Sequence, residues 1–141
     1  MKKLEEKIVR EGQVLPGGVL KVGSFLNQRI DTVFLKEMAE ETARLFEGAP
    51  VTKVLTVEAS GIAFATAVAL ELKVPMVFAK KHPSANVTGE QYFAPVYSFT
   101  HKTTYDIAVS KEYISEGDKV LITDDFLANG NALKGLIDIV K

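Results

Sequence analysis

Val120-Leu121-Ile122-Thr123-Asp124-Asp125-Phe126-Leu127-Ala128-Asn129-Gly130-Asn131-Ala132 joins an apolar run to two carboxylates and then to a loop of small residues. The run Val120 to Ile122 is short, β-branched and preceded by the turn Glu116-Gly117-Asp118. That pattern predicts a buried parallel strand with Asp124 and Asp125 at its carboxyl end. From Asn131 the apolar residues fall at Leu133, Leu136, Ile137 and Val140, the spacing of a helix with one apolar face. Phe126 to Gly130 is therefore a strand-to-helix loop. Such a loop aims free backbone N–H groups and the positive end of the helix dipole at one spot, which favours an anion by ~0.3–1 kcal/mol. Gly130 lets the backbone approach that anion closely.

Bare carboxylates would repel a phosphate, so their presence beside this cradle needs a reason. Vicinal ribose hydroxyls donating to the Asp pair supply one, and magnesium neutralising neighbouring phosphates supplies another. An Asp that merely caps the following helix is the plain alternative. It does not account for two carboxylates followed by a small-residue loop.

Working outward, helix and strand periods alternate. Lys2 to Glu11 is a charged amphipathic helix with Leu4 and Ile8 on one face. After Gly17-Gly18, Val19 to Val22 reads as a short strand and Gly23 to Ile30 as irregular. Asp31 caps a helix in which Leu35, Met38, Thr42, Leu45 and Phe46 share a face, with Lys36–Glu40 and Glu40–Arg44 pairs four apart. Gly48 and Pro50 stop it. Val54 to Val57 is a strand, Ile62 to Leu72 a helix apolar all round and hence buried, and Met76 to Ala79 a third strand. Strand, helix, strand of this kind implies a parallel sheet, whose ligands bind at the carboxyl ends of the strands.

Other loops meet that rule. Glu58-Ala59-Ser60-Gly61 joins a strand to a helix, so its amides and the Ser60 hydroxyl are candidates to face an anion; an ordinary turn capped by Ser60 is the plainer reading of the residues alone. Lys80-Lys81-His82 follows the third strand, and two ammonium groups there suit a pyrophosphate, although most such runs are solvated. Pro83 to Glu90 is polar and turn-rich. Gln91 to Phe99 and Thr104 to Val109 alternate as two strands around His101-Lys102-Thr103, a hairpin able to act as a lid, with Tyr97 and Phe99 expected to pack on the core. His82 and His101 lack partners at metal-ligand spacing.

The order apolar strand, Asp124-Asp125, then Ala128-Asn129-Gly130-Asn131-Ala132 resembles the phosphoribosyl pyrophosphate motif of type I phosphoribosyltransferases, whose usual loop has Thr-Gly in place of Asn-Gly. Leu20-Lys21-Val22, Ser24-Phe25-Leu26-Asn27, Glu58-Ala59-Ser60-Gly61-Ile62, Val77 to His82 and Val96 to Thr100 match in order, and within the family the likeness is to the branch that uses xanthine. The resemblance implies an α/β, three-layer phosphoribosyltransferase-type fold with a mostly parallel twisted sheet, an N-terminal hood and a hairpin lid. The implied reaction, in purine salvage, takes phosphoribosyl pyrophosphate and xanthine to xanthosine 5'-monophosphate and pyrophosphate. Asp124 and Asp125 then hold the ribose and act in catalysis, Ala128, Asn129, Gly130, Asn131 and Ala132 hold its phosphate, and Ser60, Gly61, Lys80 and Lys81 meet the pyrophosphate. Leu20 and Asn27 line the purine pocket. Magnesium accompanies phosphoribosyl pyrophosphate, no metal is held by the protein alone, and a cytoplasmic homodimer is implied. Family members continue for several strands beyond the motif helix, so residues 1–141 are expected to be a single phosphoribosyltransferase domain lacking its C-terminal strands and a further base-contacting lysine.

A chain of 141 residues suits one domain and buries roughly 68–70% of its unfolded surface. Seventeen basic and eighteen acidic residues leave a net charge of −1, with no field to attract nucleic acid. The chain has no cysteine, which removes disulfides and thiolate metal sites. Its longest apolar stretch, Ile62 to Leu70, is too short to span a bilayer, and no signal peptide is recognised, so the sequon Asn86-Val87-Thr88 carries no implication. Two alternatives remain. One is a non-catalytic regulatory module that senses phosphoribosyl pyrophosphate, for which no DNA-binding segment is visible. The other is a generic nucleotide-binding α/β protein, which lacks support because neither GxGxxG nor GxxxxGK occurs.

Overall fold

A computed structural model of the chain describes residues 1–82, 89–98 and 101–141. They form two compact units, Met1–Gly48 and Ala49–Lys141. Part of the expected polar turn, Pro83 to Thr88, and Phe99-Thr100 of the hairpin tip lie outside the described residues.

In the first unit, α1 (Lys2–Glu11) leads into a hairpin of β1 (Gln13–Leu15) and β2 (Val19–Lys21), then a turn of π-helix (Gly23–Asn27) and α2 (Thr32–Leu45). β1 gave no signal in the sequence because its three residues are all exposed and it has no face to bury. Asp31 caps α2 as predicted, its Oδ1 accepting from the Phe34 N–H at 3.1 Å. Its other oxygen accepts from Lys7 Nζ at 2.9 Å, and that buried ammonium also meets Glu11 at 3.0 Å. Lys7 lies 5.3 and 5.0 Å from the ring centroids of Phe25 and Phe34, which pack edge to face. Two details of α2 differ from expectation. Met38 and Ala39 are its buried residues, while Leu45 is 68% exposed. Arg44 pairs bidentately with Glu41 rather than with Glu40, which is taken by Lys36.

The second unit is built on a five-stranded sheet of β3 (Lys53–Val57), β4 (Met76–Lys81), β5 (Gln91–Ser98), β6 (Thr103–Ser110) and β7 (Val120–Ile122), in the order β5-β6-β4-β3-β7. β3 pairs in parallel with β4 and β7, whereas β6 runs antiparallel to both β4 and β5. Four of the five strands thus point the same way, and the sheet is mixed. Pro95 is tolerated in β5 because that strand is an edge. Alternation along β3 sends its residues to two helices. Leu55 and Val57 join the core that includes Leu136 and Ile139 of α4 (Asn131–Val140), while Thr56 abuts the start of α3 (Gly61–Leu72). Helix, sheet and helix make three layers. Burial of each large side chain such as Leu136 contributes roughly 1.5–3 kcal/mol.

Both helices bury a narrower stripe than their sequences suggest. α3 buries Gly61, Ala65, Val68 and Ala69 but leaves Leu70 72% exposed, so it is not enclosed all round. On α4 the stripe centres on Gly135, Leu136 and Ile139, because Gly135 lets the helix approach Val96 and Ile107 closely. β4 runs two residues past the predicted Ala79 and includes Lys80 and Lys81, paired with Ala108 and Ile107 of β6.

Candidate active site

Three strand ends converge on one side of the sheet. After β7, the Thr123 N–H donates to the Leu55 carbonyl at 2.9 Å, carrying the chain beside β3 for one more residue before Asp124 leaves the sheet. The Asp125 N–H donates to Asp124 Oδ1 at 2.9 Å, and the Ser60 hydroxyl donates to Asp125 Oδ1 at 2.9 Å. That second bond ties the loop after β3 to the loop after β7. It also decides the part played by Ser60, which stands at the N-cap of α3 without capping it. Glu58, joined to Ala59 by a cis peptide, accepts from the Lys81 N–H at 2.6 Å and stitches the same loop to the end of β4.

Gly61 is where these loops come closest. A Cβ there would lie 2.3 Å from Thr56 Oγ1 and 2.8 Å from Asp124 Oδ1, distances no side chain tolerates. Glycine is required for space, and the result is an Asp124 carboxyl pressed against the first turn of α3. Burial there, reinforced by the neighbouring Asp125, pushes its pKa up to about 7, with Lys81 pulling the other way.

Beside the pair lies a pocket of about 340 Å3 lined by residues 126–133, Asp124, Thr123, Tyr97 and Tyr105 among others. Gly130 takes the left-handed conformation (φ 74°) at the N-cap of α4. No side chain caps that helix, so its first N–H groups are left for a ligand. Asn131 Nδ2 donates to the Tyr97 carbonyl at 3.1 Å, linking this loop to the hairpin. Tyr97 is 43% exposed and lines the pocket, contrary to the expected core packing.

The structure therefore brings together Asp124, Asp125, Ser60, Gly61 and the loop Ala128 to Ala132. Lys81 belongs with them: its Nζ lies 5.7 Å from the ring centroid of Tyr105, which lines the same pocket. Lys80 does not. As its neighbour in β4 it points to the opposite face, into a groove of about 650 Å3 with Met76, Phe78 and Tyr113. That larger groove carries none of the Asp, Ser or Gly residues of the site. Leu20 sits half-buried in β2 and Asn27 half-buried at the end of the π turn, both in the N-terminal unit. Sequence reasoning gave no part to Thr56, the Glu58 carboxylate or Tyr105. Thr56 did carry a signal, as the one hydroxyl in the apolar run Val54-Leu55-Thr56-Val57.

Among the described residues no three His, Cys, Asp or Glu side chains are grouped to hold a metal ion, and no helix is long and apolar enough to cross a membrane.

A strand, an acidic pair and a small-residue loop at a helix N-terminus, tied to a second strand-end loop, are the architecture of one enzyme class, and comparison with known proteins agrees. The phosphoribosyl transferase domain model matches residues 26–141, and the chain belongs to the phosphoribosyltransferase family. Its relatives narrow that class. A xanthine phosphoribosyltransferase of Pediococcus pentosaceus is 53% identical over 99% of this chain and 73% of its own length. Another, of Latilactobacillus sakei, is 51% identical over 99% of this chain and 72% of its own. Among solved structures, the adenine phosphoribosyltransferase of Thermoanaerobacter pseudethanolicus superposes with a TM-score of 0.76 at 22% identity, covering 96% of this chain and 78% of that one. The APRTase of Giardia lamblia gives 0.79 at 22% identity, covering 96% and 75%. Those two likenesses define the fold.

Proposed function

We propose that this chain transfers the phosphoribosyl group of phosphoribosyl pyrophosphate to xanthine, giving xanthosine 5'-monophosphate and pyrophosphate. The observation that carries the reading is the tie between Asp125 and Ser60, which sets the acidic pair between two loops suited to anions. In this reading Asp124 and Asp125 accept hydrogen bonds from the ribose hydroxyls. Ala128, Asn129, Gly130, Asn131 and Ala132 hold the ribose phosphate at the N-terminus of α4. The Ser60–Gly61 loop and Lys81 receive the pyrophosphate. Lys80, on the other face of β4, is assigned no contact within this pocket. The purine assignment to Leu20 and Asn27 is carried from the family resemblance; an Asn amide, with two donors and an acceptor, suits a dioxopurine edge.

The chemistry follows from charge. As the bond to pyrophosphate breaks, positive charge develops on the ribose ring, much as in glycoside hydrolysis. Two carboxylates beside the ring favour that charge, and Lys81 favours the departing anion. The nucleophile is the purine nitrogen, so the protein supplies orientation and field rather than a covalent partner. Magnesium belongs to the substrate. The oxygen-only donors around the Asp pair suit a hard, hydrated cation that arrives on the phosphates and neutralises them.

A homodimer in the cytoplasm is the setting we infer from the family, and sedimentation of the purified chain tests the stoichiometry. The reading itself is tested by thermal denaturation with ligands. Magnesium with phosphoribosyl pyrophosphate should raise the midpoint and magnesium with a mononucleoside triphosphate should not. Equal shifts would favour a generic nucleotide site, and stabilisation without turnover would favour a sensor.

A further inference from the structure

Thr56 is fully buried in β3, and among the described residues its hydroxyl has no hydrogen-bond partner. Burying a hydroxyl without a partner is unfavourable, and a valine of the same shape would avoid the loss. Its position suggests why a threonine is there. Thr56 Oγ1 and Asp124 Oδ1 lie 2.3 and 2.8 Å from one point, the place where a Cβ of residue 61 would stand, and glycine leaves that space open. Two nearby donors are committed, the Ser60 hydroxyl to Asp125 and the Asp125 N–H to Asp124. Two buried hydroxyls lack a partner among the described residues, those of Thr56 and Thr123, and of these it is Thr56 Oγ1 that borders the Gly61 gap together with Asp124 Oδ1.

We propose that Thr56 is a positioning residue for phosphoribosyl transfer, its buried hydroxyl donating to the Asp124 carboxylate and holding it toward the ribose hydroxyls when substrate binds. The inference rests on the assignment of Asp124 to the ribose made above. Thr56 touches no substrate; it acts through Asp124. The proton stays on the threonine throughout. A hydroxyl donor favours the ionised carboxylate, so its loss should move the acid limb of the rate profile to higher pH.

The test is steady-state kinetics of the parent, Thr56→Val and Thr56→Ser between pH 6 and 9, with thermal midpoints. Thr56→Val should fold with a midpoint at or above that of the parent. Its kcat should fall at least tenfold with KM for xanthine within twofold, and the acid limb should move up. Thr56→Ser should return kcat to within about threefold of the parent. A packing role gives the reverse ranking, with valine harmless and serine impaired, and that result overturns the proposal. If the valine variant does not fold, Thr56→Ala against Thr56→Ser makes the same comparison. If the parent makes no product, calorimetric binding of magnesium and phosphoribosyl pyrophosphate replaces turnover, with at least tenfold weaker binding expected for Thr56→Val. A parent that neither reacts nor binds defeats the ribose assignment and this proposal with it. An active parent with an indifferent Thr56→Val defeats the proposal alone.

Discussion

Replacing Gly61 with alanine asks whether the crowding between the two loops is real. On helix propensity alone the change should help, by at most ~1 kcal/mol and less in a first turn. The space argues otherwise. The new methyl would sit 2.3 Å from Thr56 Oγ1 and 2.8 Å from Asp124 Oδ1, so at least one must yield. Thr56 is fully buried on a strand flanked by β4 and β7 and cannot withdraw. Asp124 is held by the Asp125 N–H. Overpacking of this kind costs about 1–3 kcal/mol. Set against the smaller propensity gain, a net loss of up to about 3 kcal/mol is expected in urea unfolding. Calorimetry should show weaker binding of phosphoribosyl pyrophosphate, because the carboxylate that yields is the one assigned to ribose. Adding Thr56→Ala should recover much of the lost stability, since it removes the atom nearest the new methyl. A Gly61→Ala variant as stable as the parent, with unchanged affinity, would refute the reasoning.

Other outcomes follow from the same geometry. Asp124→Asn with Asp125→Asn should abolish turnover while the far-ultraviolet circular dichroism stays unchanged; retained turnover would remove both from the ribose role. The Asp124 pKa, about 7 when folded, lies above its ordinary value of 3.8, so the folded chain holds this proton more tightly and stability from this group declines as pH rises from about 4 to about 7. Asp124→Asn alone should therefore raise the unfolding midpoint more at pH 8 than at pH 5, and an equal change at both would contradict the burial argument. Asp118 has the opposite sign. Lys53 first, then the Ser115 N–H and the Thr52 hydroxyl, hold its pKa down to about 2, so its stabilisation is present above about 4 and is lost as pH falls toward 2. Asp118→Asn should lower the midpoint at pH 7 and lower it much less at pH 2. Leu136→Ala, at a fully buried position against β3 and β5, should cost about 2–5 kcal/mol in urea unfolding.

The sequence was most legible where one physical signal stood alone. Val120 to Ile122 is too apolar for an exposed loop and the helix after Gly130 has a clean period, so β7, the acidic pair and α4 could be placed without structure. Asp31 was legible as a cap because one of its oxygens stays free for the Phe34 N–H while Lys7 takes the other. The lysine pair was not. Lys80-Lys81 reads as one block of charge, but β4 continues through both, and period two then sends them to opposite faces. Leu45 and Leu70 misled for a related reason: an apolar residue on a helix is buried only if another element arrives to cover it. Ser60 lies in the turn that its neighbours predict but does not cap α3, because its hydroxyl bonds instead to a carboxylate sixty-five positions away. Contacts of that range leave no local trace, and the pocket contribution of Tyr105 was invisible on the same ground.

The central claim is that the pocket beside Asp124 and Asp125 transfers a phosphoribosyl group to xanthine. Incubation of the purified chain with magnesium, phosphoribosyl pyrophosphate and an equimolar panel of xanthine, guanine, hypoxanthine and adenine, followed by chromatographic quantitation of each mononucleotide, tests it directly. Xanthosine 5'-monophosphate as the main product is the result predicted; no mononucleotide from any base, or a main product other than xanthosine 5'-monophosphate, would contradict it.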